Sequence, residues 1–220
     1  MPVIYLIGDS TVQSSAPPFR GWGWALEQYT APGIRVENHG LSGSSTKSFM
    51  DAGLFAPVEE KLAPGDVLMM QFGHNDEKDQ SDLHTEPWGS YQENLTRYAE
   101  AAEQKGALPV LLTSVSRRIY VGGGSLLYTH GEYPAAVKEL AARRGWPVID
   151  LEGFSRQLYL SLGEEGTAEL FVRLAPGENP DFPDGHNDLT HFNADGAARI
   201  AALVAGAMAE DQRLRPYVKG

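Results

Sequence analysis

Five short segments read as strands, four of them mostly apolar runs, and most of them stop in a cluster of small polar residues. They are VIYLI (3–7), IRVEN (34–38), VLMMQF (67–72), LPVLLTSV (108–115) and WPVIDL (146–151). Two long segments between them, 87–106 and 131–145, carry apolar residues at helical spacing, and each is stopped by a glycine, Gly106 or Gly145. Shorter helices are expected over Trp22–Tyr29 and Thr46–Met50. A last helix is expected from Asn193, with that residue as its N-cap. Val3–Ile7 is apolar at every position, so it reads as a strand buried on both faces. Strand and helix in strict alternation leave few architectures. The expected one is a three-layer α/β/α fold around a parallel sheet. Five strands suit the flavodoxin-like order 2-1-3-4-5.

A chain of 220 residues without repeats or a low-complexity linker is expected to form one domain over 1–220. It has no cysteine, which excludes disulfides, thiolate-bound metals and a cysteine nucleophile. Its net charge of −11 repels nucleic acid and anionic membranes. No run approaches the roughly 18 apolar residues of a membrane helix. With no signal-peptide pattern in the sequence given, the expected location is cytoplasmic.

In an open parallel sheet, ligands bind outside the carboxyl ends of the strands. The residues directly after each run are therefore informative. The first run leads into Gly8-Asp9-Ser10-Thr11, the second into NHGLSGSST with Gly43, and the third into GHND with Asn75. The fifth leads, through a helix and a loop, to DGHNDLTHF with Asp188 and His191. A serine alone is a weak nucleophile and needs a base. His191 can be that base for Ser10, since histidine side chains titrate near neutrality. Asp188, three residues earlier, is placed on a tight turn to hold one ring nitrogen and aim the other at Ser10. The backbone N–H groups of Ser10 and Gly43 and the amide of Asn75 are the candidate donors to an oxyanion. Gly43 is read as allowing close backbone approach, Gly8 as allowing the turn, and Asp9 as bracing it.

Each piece alone has a plainer reading. Ser10 could cap a turn, Asn75 could be a turn asparagine, Gly43 a loop glycine, and Asp188 with His191 a surface pair. Two other chemistries are open. Asp181, Asp184, His186, Asp188 and His191 are the right kinds of residue for Zn or Mn, although no HxxxH or HExxH spacing occurs. GDSTVQSS could cradle a phosphate, which would make a non-enzymatic phosphate or nucleotide binder. Such a binder would need neither His191 nor Asn75. Four specific residue types at four strand ends favour the hydrolytic reading.

These four blocks, GDST, LSGSS, GHND and DLTH, resemble those of the SGNH, or GDSL-type, hydrolases, over nearly the whole chain. The resemblance implies Ser10, Gly43, Asn75 and His191 as the quartet, Asp188 as third triad member, a flavodoxin-like fold and no cofactor or metal. GDST, QFGHND and the SRR after the fourth run look more narrowly like the rhamnogalacturonan acetylesterases of carbohydrate esterase family 12. That implies an acetylated pectic oligosaccharide as substrate. The superfamily also holds acetylxylan and short-chain esterases, lipases and thioesterases. Ser44 stands where relatives often carry Arg. His74 is expected to support the Asn75 loop or to touch substrate. Arg117 and Arg118 are expected at the same sheet edge, as receptors for the carboxylate of galacturonate.

Overall fold

The computed structural model describes residues 1–219. Strands β1 (Val3–Gly8), β2 (Arg35–Asn38), β3 (Val67–Gln71), β4 (Leu108–Leu112) and β7 (Val148–Ile149) form one sheet in the order β2-β1-β3-β4-β7. All four pairings are parallel. Numbered within the sheet, this is the expected 2-1-3-4-5. Two small antiparallel hairpins stand outside it, β5–β6 (Tyr120–Val121 and Ser125–Leu126) and β8–β9 (Phe171–Leu174 and His186–Phe192).

Alternation along the central strands divides the interior in two. Ile4, Leu6, Val67, Met69, Val110 and Leu112 point to one face, where they meet Ile200, Val204 and Met208 of α6 (Ala194–Glu210) and Tyr159 of α5 (Leu151–Ala168). Tyr5, Ile7, Leu68, Met70 and Leu111 point to the other. There they meet Phe49 of α1 (Thr46–Asp51), Val58 of α2 (Ala56–Lys61), Tyr98 of α3 (Gln92–Gln104) and Val137 of α4 (Tyr133–Arg144). Burial on both faces explains the continuously apolar runs of the central strands β1 and β3, whereas the edge strand β2 is half-exposed and mixed in sequence.

Local signals hold at the helix ends. Gly145 takes a left-handed C-cap at φ 74° after α4. The Asn193 side chain accepts the Gly196 N–H at the start of α6. Three expectations are corrected. Trp22–Tyr29 forms two 3₁₀ turns, Trp22–Trp24 and Leu26–Tyr29, not an α-helix. The fifth strand shrinks to Val148–Ile149, because Asp150 caps α5 by accepting the Gly153 N–H. The segment with Asp188 and His191, expected as a tight turn, is a strand of the β8–β9 hairpin.

Candidate active site

Ser10 stands directly after β1, on a turn closed by the N–H groups of Val12 and Gln13 donating to the Asp9 carbonyl. Asp9 is fully buried and braces this turn. Its Oδ1 accepts the Thr11 N–H at 2.9 Å and the Thr11 hydroxyl at 2.8 Å. Gln71, at the end of β3, donates to Thr11 Oγ1 at 2.7 Å and accepts the Trp22 indole N–H at 2.8 Å. Burial works to raise the Asp9 carboxyl, but the neighbouring His74 and the Thr11 donors hold it below its ordinary value. Gly8 is not itself in a positive-φ conformation. A Cβ there would sit 2.4 Å from the Gln71 carbonyl oxygen and 2.6 Å from a Val12 methyl. Close packing, not the turn, requires glycine.

His191 reaches the serine from the other end of the chain. Its Nε2 lies 2.9 Å from Ser10 Oγ, and its Nδ1 lies 2.9 Å from Asp188 Oδ2. The hairpin register explains how one strand presents both residues. Phe171 pairs with Phe192 and Arg173 with Asn187, so residues 188–191 bulge out opposite Val172. Within the bulge Asp188 Oδ1 accepts the N–H groups of Thr190 and His191, each at 2.7 Å. Partial burial works to raise the Asp188 carboxyl. Hydrogen bonds from His191, His186 and these two backbone groups outweigh it and hold Asp188 well below the usual carboxylate range. Phe19 sets its ring edge-on to His191, with centroids 5.8 Å apart.

Gly43 and Asn75 lie on two loops that are tied to each other. The N–H groups of His39 and Leu41 donate to the carbonyls of Leu6 and Gly8, so the chain after β2 runs on beside the end of β1. The Asn75 amide donates to the Ser44 carbonyl at 2.9 Å and accepts from the Lys78 ammonium at 2.7 Å. The next residue, Asp76, accepts the N–H and hydroxyl of Thr46 and the hydroxyl of Thr85. Burial pushes its carboxyl up to about 7, against the pull of those donors. Gly43 has φ 80° and nothing within 4 Å of a notional Cβ. Its backbone conformation, rather than close approach, calls for glycine. Gly73 is the close-approach position, with Ser114 Oγ 2.2 Å from where a Cβ would stand.

The remaining expected contacts lie elsewhere. His74 is 4% exposed, faces Asp9 at 3.3 Å through Nδ1 and sets its ring edge-on to His130, so it supports the serine turn from beneath. Arg117 is paired with Glu77. Arg118 is 6% exposed and donates its Nε to the Asp188 carbonyl at 2.9 Å and a terminal nitrogen to Asn187 Oδ1. It holds the bulge from behind instead of facing a ligand. A cleft of about 380 Å³ opens over the serine. Phe19, Arg20, Ser42 and His186 line it together with Ser10, Asp188 and His191. Of these additions only His186 drew notice in the sequence, as a metal ligand. Its Nε2 lies 2.9 Å from Asp188 Oδ2, and its place two residues before Asp188 on a strand puts both on one face. Among the described residues, no three His, Asp or Glu side chains converge to hold a metal ion. No helix among them is long and apolar enough to cross a membrane.

Comparison with known proteins shows the family. The GDSL-like Lipase/Acylhydrolase family matches residues 6–199. The rhamnogalacturonan acetylesterase RhgT of Bacillus subtilis (strain 168) is 42% identical over 210 residues, covering 94% of this chain and 89% of that protein. A rhamnogalacturonan acetylesterase of Emericella nidulans is 29% identical over 220 residues, covering 90% and 81%. The crystal structure of protein YXIM from Bacillus subtilis superposes with a TM-score of 0.80 at 27% identity. It covers 94% of this chain and 56% of that one.

Proposed function

This chain belongs to the GDSL-like Lipase/Acylhydrolase family and is a carboxylic ester hydrolase, and we propose that it removes O-acetyl groups from rhamnogalacturonan-type pectic oligosaccharides through an acyl-enzyme. The observation that carries the proposal is the unbroken run of contacts Ser10 Oγ–His191 Nε2 and His191 Nδ1–Asp188 Oδ2 on the wall of one cleft. The 42% identity to a protein bearing the name rhamnogalacturonan acetylesterase supports the choice of substrate.

The proposed mechanism has two halves. Ser10 Oγ attacks the acetyl carbonyl carbon while its proton passes to His191 Nε2. Asp188 holds the Nδ1–H and offsets the charge of the imidazolium. The carbonyl oxygen becomes an oxyanion served by the N–H groups of Ser10 and Gly43 and by the Asn75 amide. As the intermediate collapses, the sugar hydroxyl leaves with the proton from His191, and acetyl-Ser10 remains. Water then gives a proton to His191 as it attacks, and as this second intermediate collapses His191 returns the proton to Ser10 Oγ and acetate departs. None of these steps calls on a cofactor. The reading takes residues 1–220 as one hydrolase domain acting in the cytoplasm on imported oligosaccharides; a cysteine-free chain is compatible with a reducing compartment.

The test is acetate release from acetylated rhamnogalacturonan oligosaccharides and from acetylated xylan, with acid quench and peptide mapping for acetyl-Ser10. Acetate from the pectic substrate together with an adduct on Ser10 is expected. Turnover of acetylated xylan or a small acetyl ester, with no acetate from any pectic substrate, would replace the proposal by a different esterase of the same family.

A further inference from the structure

The cleft over Ser10 has one cation on its wall whose charge no side chain among the described residues neutralises. Arg117 is paired with Glu77, and Arg118 is buried against Asp188 and Asn187. The Lys78 ammonium is committed to Asn75. Arg20 differs from all three. It lines the same cleft as Ser10 and His191, and it pairs with no carboxylate among the described residues. One of its terminal nitrogens, NH1, donates to the carbonyls of Ser15 and Phe19, and its guanidinium carbon stands 5.1 Å from the centre of the Trp24 ring. The Nε and NH2 edge has no acceptor among the described residues.

That arrangement is a fork held ready at a fixed place. Two backbone carbonyls and an aromatic face restrict a side chain that would otherwise lose much rotamer freedom on binding a ligand. The segment that carries it is fixed as well. The Arg20 N–H donates to the Phe192 carbonyl, next to His191. A Cβ on Gly21 would meet Val12 and Gln13 backbone atoms at 2.4–2.6 Å, so this segment lies tight against the serine turn. An arginine fork with an open edge matches a carboxylate, and it does so in a chain whose overall charge of −11 works against anionic ligands.

We infer that Arg20 is the carboxylate receptor of this cleft, taking the uronate of a sugar in the same oligosaccharide as the acetylated one. The inference rests on the reading of the protein as an acetylesterase of acidic oligosaccharides and moves the recognition of acid from Arg117 and Arg118 to Arg20. The proposed contact sets specificity; no atom of Arg20 takes part in the chemistry.

Two measurements test it. The first is kcat/KM on an acetylated galacturonate-containing oligosaccharide and on its neutral galactose-containing counterpart. The wild type is expected to prefer the acidic substrate, and Arg20→Gln to cut that ratio about 10- to 100-fold. Arg20→Lys should keep part of it, as a point charge without the fork. Because the readout is a ratio within each variant, a general loss of folded enzyme moves both terms together. The second measurement needs no acetylated sugar. Unacetylated galacturonate oligosaccharides should compete with turnover of a small acetyl ester, less well at high salt and less well against Arg20→Gln. An unchanged ratio and unchanged inhibition in Arg20→Gln would overturn the inference while leaving the acetylesterase reading intact. Competition by uronates that Arg20→Gln weakens, without any acetate release from pectic substrates, would support Arg20 and sink that reading instead.

Discussion

His191 Nε2 lies 2.9 Å from Ser10 Oγ although 181 positions of sequence separate the two residues. Ser10→Ala removes the nucleophile and costs no buried contact that the fold depends on, since the serine turn is braced by Asp9, Thr11 and Gln71. Ester turnover should fall by about 10³-fold or more with the thermal midpoint unchanged. His191→Ala should cost nearly as much, because in the proposed mechanism serine and histidine act as one unit. Activity close to wild type in either variant, measured with a chromogenic acetyl ester, would remove the nucleophile–base pair from the mechanism.

Asp188→Asn separates orientation from charge. An asparagine Oδ1 can still accept the N–H groups of Thr190 and His191, so the bulge should keep its shape. Its NH₂ would then face His191 Nδ1, where a carboxylate oxygen now accepts. That favours the wrong tautomer, with the proton on the nitrogen that must act as base. A drop in kcat on the order of 10³–10⁴ is expected, without loss of stability comparable to a core mutation. A purely structural Asp188 would give the reverse, a lower thermal midpoint with kcat per folded molecule preserved.

Asn75→Ala should lower kcat by about 10²–10³ and leave KM less affected, as expected for a donor that binds the transition state rather than the substrate. Lys78→Met should act in the same parameter by a smaller factor, on the order of tenfold or less. The ammonium at 2.7 Å from Asn75 Oδ1 fixes which end of the amide donates to the Ser44 carbonyl. Steady-state kinetics on one substrate decide both. A change confined to KM would make Asn75 a ground-state contact.

Asp76 gives the pH dependence a definite sign. Its carboxyl titrates at about 7 in the folded protein, against roughly 3.9 in an unfolded chain. The folded state therefore holds a proton that the unfolded state has lost between those values. The stabilisation is fully present below pH ~4 and is lost as pH rises to about 7, by on the order of a few kcal/mol. Asp76→Asn keeps an acceptor for Thr46 and Thr85 and cannot ionise. Chemical denaturation at pH 5 and pH 8 should show the wild type losing stability relative to this variant as pH rises. A constant difference between the two proteins across that range would mean that Asp76 does not titrate there.

The centre of the sheet could be read from the sequence because β1 and β3 are buried on both faces and so appear as apolar runs, VIYLI and VLMMQF. Short-range chemistry also carried over, in the Asn193 cap and the Gly145 stop. The hairpin bearing Asp188 and His191 was not legible. Its residues are half-exposed and polar, HNDLTHF has no clean alternation, and the bulge is defined only by its pairing with Phe171 and Arg173. The role of Arg118 was hidden for a related reason. A basic pair in sequence looks the same whether it faces solvent, substrate or the back of a turn, and only the carbonyl of Asp188, 70 positions away, decides. Arg20 lacked any signal at all, since a single arginine in a loop carries no pattern.

The bulge of β9 also dates the birth of activity. Chains emerge from the ribosome N-terminus first, and β1, β2, β3 and β4 are complete by Leu112. The serine turn and the Gly43 and Asn75 loops belong to that early part, while His191 and Asp188 lie much later in the sequence, on the strand that pairs with β8. A nascent chain can thus bury most of its sheet and still be inert. Esterase activity becomes a late reporter of folding, appearing only after two segments 181 positions apart have met.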